Sequence, residues 1–88
     1  MVSQKTKVVN SQGFHMRPAS VFVAEMAKFE SNIFLVAGDK EVNAKSLMNI
    51  IAAALKCGTE LEVRADGPDE EAAMAKAVEM IDNGLGEE

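Results

Sequence analysis

The residues best suited to chemistry lie together in the run Gln12–Ser20 (QGFHMRPAS), which contains His15, the only histidine of the chain. Pro18 predicts a helix that begins beside His15, because the amides of a first helical turn lack partners and proline loses nothing there. A helix N-terminus favours a phosphate or sulfate dianion, and the Arg17 guanidinium can donate two hydrogen bonds to phosphate oxygens. A neutral imidazole has a lone pair that can accept a phosphoryl group. The run therefore predicts a site of phosphoryl transfer at a helix start.

The same residues also permit plainer interpretations. A histidine near a helix start is often a cap or a surface residue, and the side chain of Arg17 can simply be solvated. A metal centre is not expected, because zinc takes three or four protein ligands and the chain offers neither a second histidine nor a pair of cysteines. We expect no metal and no cofactor, and the residues alone leave transfer site and simple cap as alternatives.

Length and composition limit the classes of protein that come into question. The 88 residues predict a single domain, 1–88, and Cys57 is the only cysteine, so no internal disulfide can form. The net charge of −5 argues against nucleic acid as a partner, because phosphate backbones are bound by basic patches. The longest apolar run, Ile50–Leu55, is far shorter than the roughly 18 residues that span a bilayer, and the first residues lack a signal-peptide pattern. We expect a cytoplasmic monomer without membrane insertion.

Hydrophobic periodicity predicts the elements of the first half of the chain. A first strand is indicated where Thr6 and Val8 alternate with Lys5, Lys7 and Val9, and a loop follows over Asn10–Gly13. Helical spacing from Pro18 onward is shown by Ala19, Phe22, Val23, Met26 and Phe29. A hairpin is then predicted from the β-rich run Asn32–Val36, the turn Gly38–Asp39 and the second arm Lys40–Asn43.

The second half predicts a helix, a strand and a final helix. Ser46 is a typical N-cap for a helix over Leu47–Leu55, with Gly58 as its stop. In the segment Glu60–Ala65, apolar and charged residues alternate, as in a strand with one buried face. The turn Asp66–Asp69 leads into a helix with Glu70 and Glu71 in its first turn, an apolar stripe of Met74, Val78, Ile81 and Leu85, and an end at Asn83–Gly84.

The predicted order is strand, helix, strand, strand, helix, strand, helix, which indicates an α+β fold. One solvent-facing side of a strand and three amphipathic helices favour an antiparallel sheet with all helices on one face. The βαββαβ part fits a split βαβ arrangement.

Two segments of this chain resemble one family. The run Gly13–Ala19 (GFHMRPA) resembles the active-site signature of HPr, the histidine-containing phosphocarrier of the bacterial phosphoenolpyruvate-dependent sugar phosphotransferase system. The run Val42–Met48 (VNAKSLM) resembles the regulatory serine segment of the same family. Chain length, element order and the separation of the two segments also match, so the resemblance covers essentially the whole chain.

The resemblance implies a fold and a role for the histidine. It implies an open-faced β-sandwich of four antiparallel strands and three helices. His15 would accept a phosphoryl group from phospho-enzyme I on its Nδ1 atom and pass it to IIA domains of sugar permeases, while Arg17 would steady the phosphate. Such a protein is a stoichiometric carrier and not an enzyme. A relative that keeps the fold but replaces the active histidine exists, and His15 argues against that assignment.

The resemblance also implies regulation and a docking surface. Ser46 would be phosphorylated by HPr kinase/phosphorylase, and the phosphorylated form would act with catabolite control protein A. Partners would dock on Met16, Ser20, Leu47, Met48 and Ile51. The family usually has leucine and alanine where this chain has Phe14 and Met16, both larger apolar side chains beside the site, and glycine where it has Asn49. From the residues alone, a plain helix cap is the favoured interpretation of Ser46, and burial in the core remains an alternative for the apolar side chains.

Two other classes remain as alternatives. An acidic chain of this length with Ser46–Leu47 at a helix start also resembles acyl carrier proteins, although those are all-helical and usually have aspartate where this chain has Lys45. The second alternative is a non-catalytic α+β interaction module in which His15 only caps a helix.

Overall fold

The strands and helices follow the predicted order, βαββαβα. The structure is a computed structural model, and it describes residues 1–9 and 13–86. The four strands are β1 (Val2–Lys7), β2 (Asn32–Ala37), β3 (Lys40–Asn43) and β4 (Glu60–Asp66). The three helices are α1 (Met16–Met26), α2 (Leu47–Ala53) and α3 (Glu70–Asp82), and a short 3-10 helix, Gly84–Gly86, follows α3.

The strands form one antiparallel sheet in the order β1-β4-β2-β3. β4 lies inside the sheet, and its buried residues Leu61, Val63 and Ala65 alternate with Glu62 and Arg64 on the solvent face. α3 packs on β1 and β4, α2 packs on β3, and α1 contacts both α2 and α3. The sheet is therefore covered by helices on one face and open on the other, as in an open-faced sandwich. This sheet excludes an all-helical acyl carrier.

The hydrophobic core lies between the covered face of the sheet and the three helices. Its largest fully buried apolar side chains come from α1, β2, α2, α3 and β4 and from the segment after β1: Phe22, Met26, Ile33, Leu35, Ile50, Ile81, Val63 and Val8. Within the described residues, no helix is long and apolar enough to cross a membrane.

The first strand differs from its prediction. The alternation of Thr6 and Val8 placed it too late, because β1 runs from Val2 to Lys7 and Val8 lies beyond it. β1 is an edge strand, and its extent is set by its register with β4, from Val2 opposite Ala65 to Lys7 opposite Glu60. Val8 is fully buried, and its N–H donates to the carbonyl of Thr59 at 2.9 Å. The predicted loop Asn10–Gly13 lies outside the described residues except for Gly13.

The first two helices end earlier than predicted. α1 ends at Met26, and Phe29 packs against the core from the segment that follows. α2 ends at Ala53, because Ala54 adopts the left-handed conformation with φ 53°. The predicted stop, Gly58, lies further along the chain. The earlier turn places Leu55 in the core, where it is 4% exposed.

The third helix begins and ends as predicted. Glu70 and Glu71 occupy its first turn, and Asn83 caps its end. Val78 and Ile81 of the predicted stripe are buried, and Met74 is half-buried. Leu85 is buried too, but it lies beyond α3 in the 3-10 helix, with φ 59°.

Asp69 joins the start of α3 to the segment before β2. Its carboxylate accepts the N–H of Glu30 at 3.0 Å, the N–H of Ser31 at 2.9 Å and the hydroxyl of Ser31. The Ser31 hydroxyl and the two amides favour the ionised form, so they lower the pKa of Asp69 below its ordinary value of 3.8. Ionised Asp69 therefore stabilises the fold above the unfolded pKa, and this contribution is lost as pH falls through the lower folded pKa.

We expect Asp69→Asn to lower the free energy of unfolding at pH 7, because an amide cannot accept all three hydrogen bonds. The difference from the unsubstituted chain should shrink as pH falls below the ordinary aspartate pKa of about 4, where the carboxylate of the unfolded chain is protonated first. Urea unfolding between pH 7 and pH 3 measures it, with Glu71→Gln in the same helical turn as control. A difference that stays constant over this range would contradict the assignment.

Candidate functional site

The chain enters α1 through a close approach of two backbones at Gly13. Gly13 has φ 67°, and a Cβ at this position would lie 2.8 Å from the Cα of Lys56 and closer still to the carbonyl oxygen of Leu55. Both the conformation and the lack of space require glycine here. The close approach places Gly13, at the entry into α1, directly against the segment between α2 and β4.

Phe14 fixes the same entry through its backbone and its ring. Its N–H donates to the carbonyl of Leu55 at 2.9 Å. Its ring is 4% exposed and packs edge to face against Phe22, with ring centroids 5.3 Å apart. Phe14 therefore belongs to the core, whereas Met16 is 59% exposed. Of the two enlarged side chains that the sequence placed beside the site, only Met16 lies on its surface.

His15 is the N-cap residue of α1, as the position of Pro18 predicted. Its backbone is extended, with φ −88° and ψ −175°, and its carbonyl accepts the N–H of Ala19 at 3.0 Å. Its side chain makes no capping hydrogen bond to the helix, and the residue is partly exposed. The imidazole is thus neither occupied in capping α1 nor enclosed in the core.

The first turn of α1 leaves hydrogen-bond donors beside His15. Pro18 has no N–H, and no side chain among the described residues caps the helix, so the amides of Met16 and Arg17 can donate to an external acceptor. The side chain of Arg17 is exposed at the same end. The α1 dipole adds partial positive charge there. These groups stabilise an anion next to the imidazole. A phosphoryl group in transfer carries negative charge that needs such stabilisation.

The predicted docking residues lie on two helices that contact each other. Met48 is 79% exposed, and Ser20 is exposed on α1. Leu47 and Ile51 are half-buried and pack partly against the core. A further apolar side chain, Val21, is 49% exposed on α1 and was not predicted. The sequence could have predicted this exposure, because Val21 is adjacent to Ser20 and to the buried Phe22 and so falls on the outward side of the helix.

Few charged residues lie on these two helices, although the whole chain is 26% charged. α2 (LMNIIAA) has none, and α1 has only Arg17 and Glu25. By contrast, α3 carries Glu70, Glu71, Glu79 and Asp82 against the single cation Lys76. We define the docking face as Met16, Ser20, Leu47, Met48 and Ile51; none of these residues is charged, and Lys40 and Glu41 of β3 line a cleft beside Met48.

Ser46 is the N-cap of α2, as predicted. Its hydroxyl oxygen accepts the N–H of Asn49 at 3.3 Å and the side-chain amide of Asn49, through Nδ2, at 3.0 Å. The neighbouring Lys45 donates from Nζ to the carbonyl of Phe29 at 2.6 Å, which ties the start of α2 to the segment after α1. Neither the Asn49 nor the Lys45 side-chain bond was evident from the sequence, since both depend on side-chain conformation.

Comparison with known proteins extends the likeness to the whole chain. Residues 2–83 match the family model described as PTS HPr component phosphorylation site. The chain is 42% identical to phosphocarrier protein HPr of Treponema pallidum (strain Nichols) over 100% of both sequences. The crystal structure of HPr-C-His from Thermoanaerobacter tengcongensis matches with a TM-score of 0.95 and 38% identity, over 100% of this chain and 99% of that one. The solution structure of Crh, the Bacillus subtilis catabolite repression HPr, matches with a TM-score of 0.69 and 40% identity, over 91% of this chain and 95% of that one.

We expect Gly13→Ala to lower the free energy of unfolding by about 2–4 kcal/mol, since it adds a strained φ and displaces the Leu55–Lys56 backbone. Gly38→Ala is the matched control, because Gly38 has φ 63° but a Cβ added there would meet no atom within 4 Å. That control should lose only about 1 kcal/mol. Urea unfolding compares the two, and equal losses would show that the approach at Gly13 is unimportant.

Proposed function

This chain belongs to the HPr family of phosphocarrier proteins of the phosphotransferase system, and from this premise we propose that His15 accepts a phosphoryl group from phospho-enzyme I and passes it to IIA domains of sugar permeases. The observation that supports the proposal most directly is the position of His15. It is the partly exposed N-cap of α1, beside two first-turn amides and the exposed Arg17.

The transfer step needs little beyond position and charge. Nδ1 of a neutral His15 attacks the phosphorus, a new P–N bond forms, and the bond to the donor group of enzyme I breaks. The negative charge on the equatorial oxygens meets the amides of Met16 and Arg17 and the Arg17 guanidinium, and these donors are already in place before the reaction. The same arrangement releases the group to an acceptor on a IIA domain. The protein is thus the modified substrate of its partners and acts in the cytoplasm without a cofactor.

The docking face suits a carrier that must bind several partners in turn. Met16 and Met48 are both highly exposed, and methionine side chains adapt to differently shaped surfaces. Because α1 and α2 carry few charges, apolar contacts would supply most of the affinity for partners. Arg17 is the only cation on these two helices. We propose that enzyme I and the IIA domains share this face.

Regulation at Ser46 is the second part of the proposal. HPr kinase/phosphorylase would phosphorylate Ser46, and the product would act with catabolite control protein A. The similarity to Crh, the catabolite repression HPr, supports this role. A phosphate adds about −1.5 to −2 charge. Ser46 directly precedes Leu47 of the uncharged docking face, so the phosphate would cost desolvation on docking and repel an acidic partner surface. As an N-cap residue, Ser46 tolerates that charge without unfolding of α2.

Incubation with phosphoenolpyruvate and enzyme I tests the carrier function. We expect one acid-labile phosphoryl group per unsubstituted chain and none in His15→Ala. In Arg17→Ala, phosphoryl acceptance should be slowed about 10- to 100-fold while binding to enzyme I is retained, because the guanidinium stabilises the phosphoryl group during transfer. Lys5→Ala, which removes an exposed cation from β1, is the control and should react at the normal rate. Label that persists in His15→Ala, or that survives acid, would exclude the histidine relay and favour a non-catalytic module.

The charge of Ser46→Asp should lower kcat/KM for phosphoryl acceptance from enzyme I by at least about threefold, with the free energy of unfolding little changed. Ser46→Asn is the matched control, since asparagine has the same shape as aspartate, also caps helices and adds no charge. The ratio between the two variants should approach one as salt is raised, because salt screens repulsion at an exposed site. Equal kinetics at low salt would rule out an electrostatic effect of Ser46 on docking.

A further inference from the structure

The hydroxyl oxygen of Ser46 has both of its acceptor positions in use. A serine hydroxyl offers one donor hydrogen and two lone pairs. The backbone N–H of Asn49 takes one lone pair at 3.3 Å, which is the ordinary bond of a helix N-cap. The side-chain amide of Asn49 takes the other at 3.0 Å. The second bond is not part of helix capping, and it depends on the identity of the residue at position 49.

A nucleophile attacks phosphorus with a lone pair. In transfer from a nucleoside triphosphate, the attacking oxygen, the phosphorus and the leaving oxygen lie roughly in line, so a lone pair of Ser46 must point at the γ-phosphorus. A lone pair held by an N–H donor is not available for this attack. While the hydroxyl still carries its proton, one of the two Asn49 bonds therefore has to break before Ser46 can attack.

The side-chain bond is the one that can break without disturbing the fold. The backbone N–H of Asn49 is held in place by α2, which begins at Leu47. The Asn49 side chain is exposed and can rotate into solvent, where water replaces its partner. The cost of that rotation is the net strength of one neutral hydrogen bond, and it is added to the barrier of every phosphorylation event.

We propose that Asn49 is a positioning residue that restrains the Ser46 hydroxyl and slows its phosphorylation; the proposal rests on the proposed phosphorylation of Ser46. In the reaction the Oγ–P bond forms, the bond between the γ-phosphorus and the nucleoside diphosphate breaks, and a general base of the kinase takes the hydroxyl proton. Asn49 takes no part in these bond changes. It sets how often the oxygen is free to react, and so makes the chain a slower substrate than one with no donor at position 49.

The experiment measures phosphorylation of Ser46 by HPr kinase/phosphorylase with ATP and Mg²⁺. Two variants remove the donor in different ways: Asn49→Ala shortens the side chain, and Asn49→Leu keeps a side chain of similar size. We expect both to raise kcat by about 2- to 10-fold, the range that corresponds to one neutral hydrogen bond, with a smaller change in KM. Asn83→Ala, at the end of α3, removes another exposed asparagine and should leave kcat unchanged.

The outcomes separate the inference from the function on which it rests. Faster phosphorylation of both variants supports the restraint, provided that Ser46→Ala takes no label and that urea unfolding shows all variants to be folded. If the unsubstituted chain is phosphorylated and the two variants react at the same rate or more slowly, the restraint by Asn49 is excluded and the regulatory function stands. If only Asn49→Ala is faster, the cause is side-chain size, and the restraint is again excluded. If the kinase phosphorylates none of the chains, both the regulatory role of Ser46 and the restraint are wrong.

Discussion

The hydrogen bond from the N–H of Phe14 to the carbonyl of Leu55 joins the two parts of the chain on which the candidate site depends. On one side it fixes the entry into α1, and so the N-cap position of His15. On the other side it needs the carbonyl of Leu55 turned toward Phe14, which the early, left-handed end of α2 at Ala54 provides. Gly13 is required because the two backbones approach too closely for any side chain. The N-cap position of His15 is thus set by backbone contacts of its neighbours Gly13 and Phe14.

The two proposed phosphorylation sites show opposite uses of the same local structure. His15 and Ser46 are both N-cap residues, of α1 and α2 respectively. The side chain of His15 does not cap its helix, and the residue stays partly exposed. The Ser46 hydroxyl does cap its helix and is held further by Asn49. The proposed phosphoryl acceptor is therefore partly exposed, whereas the hydroxyl of the proposed regulatory site accepts two hydrogen bonds from Asn49.

Much of this arrangement follows from local patterns in the sequence. The run around His15 predicted a helix start at the right residue, because proline and the lack of amide partners are local properties. The alternation at Leu61, Val63 and Ala65 predicted β4 and a sheet with one buried face. The element order and the cap at Ser46 were confirmed for the same reason. The roles of His15, Arg17, Ser46 and the docking face remain predictions.

Features that depend on contacts between distant residues could not be predicted in this way. β1 is defined by its pairing with β4, so its own weak alternation misplaced it. α2 was predicted too long, because the turn at Ala54 accompanies the burial of Leu55 and its hydrogen bond with Phe14, which lies far away in the sequence. The inward direction of Phe14 depends on Phe22 in the folded core. The bonds of Lys45 to Phe29 and of Asn49 to Ser46 require side-chain conformations that no periodicity encodes.

The uneven placement of charge has a consequence for how this molecule meets other proteins. α3, with four acidic side chains and one basic one, covers β1 and β4, whereas the uncharged α2 covers β3 at the other edge of the sheet. The covering helices therefore place more negative charge above β1 and β4 than above β3. Close to an acidic surface, repulsion of the α3 carboxylates favours orientations in which α3 faces away and α2 faces the surface. Repulsion at the far side can then orient the molecule on approach, in addition to the attraction that the Arg17 guanidinium supplies at the start of α1.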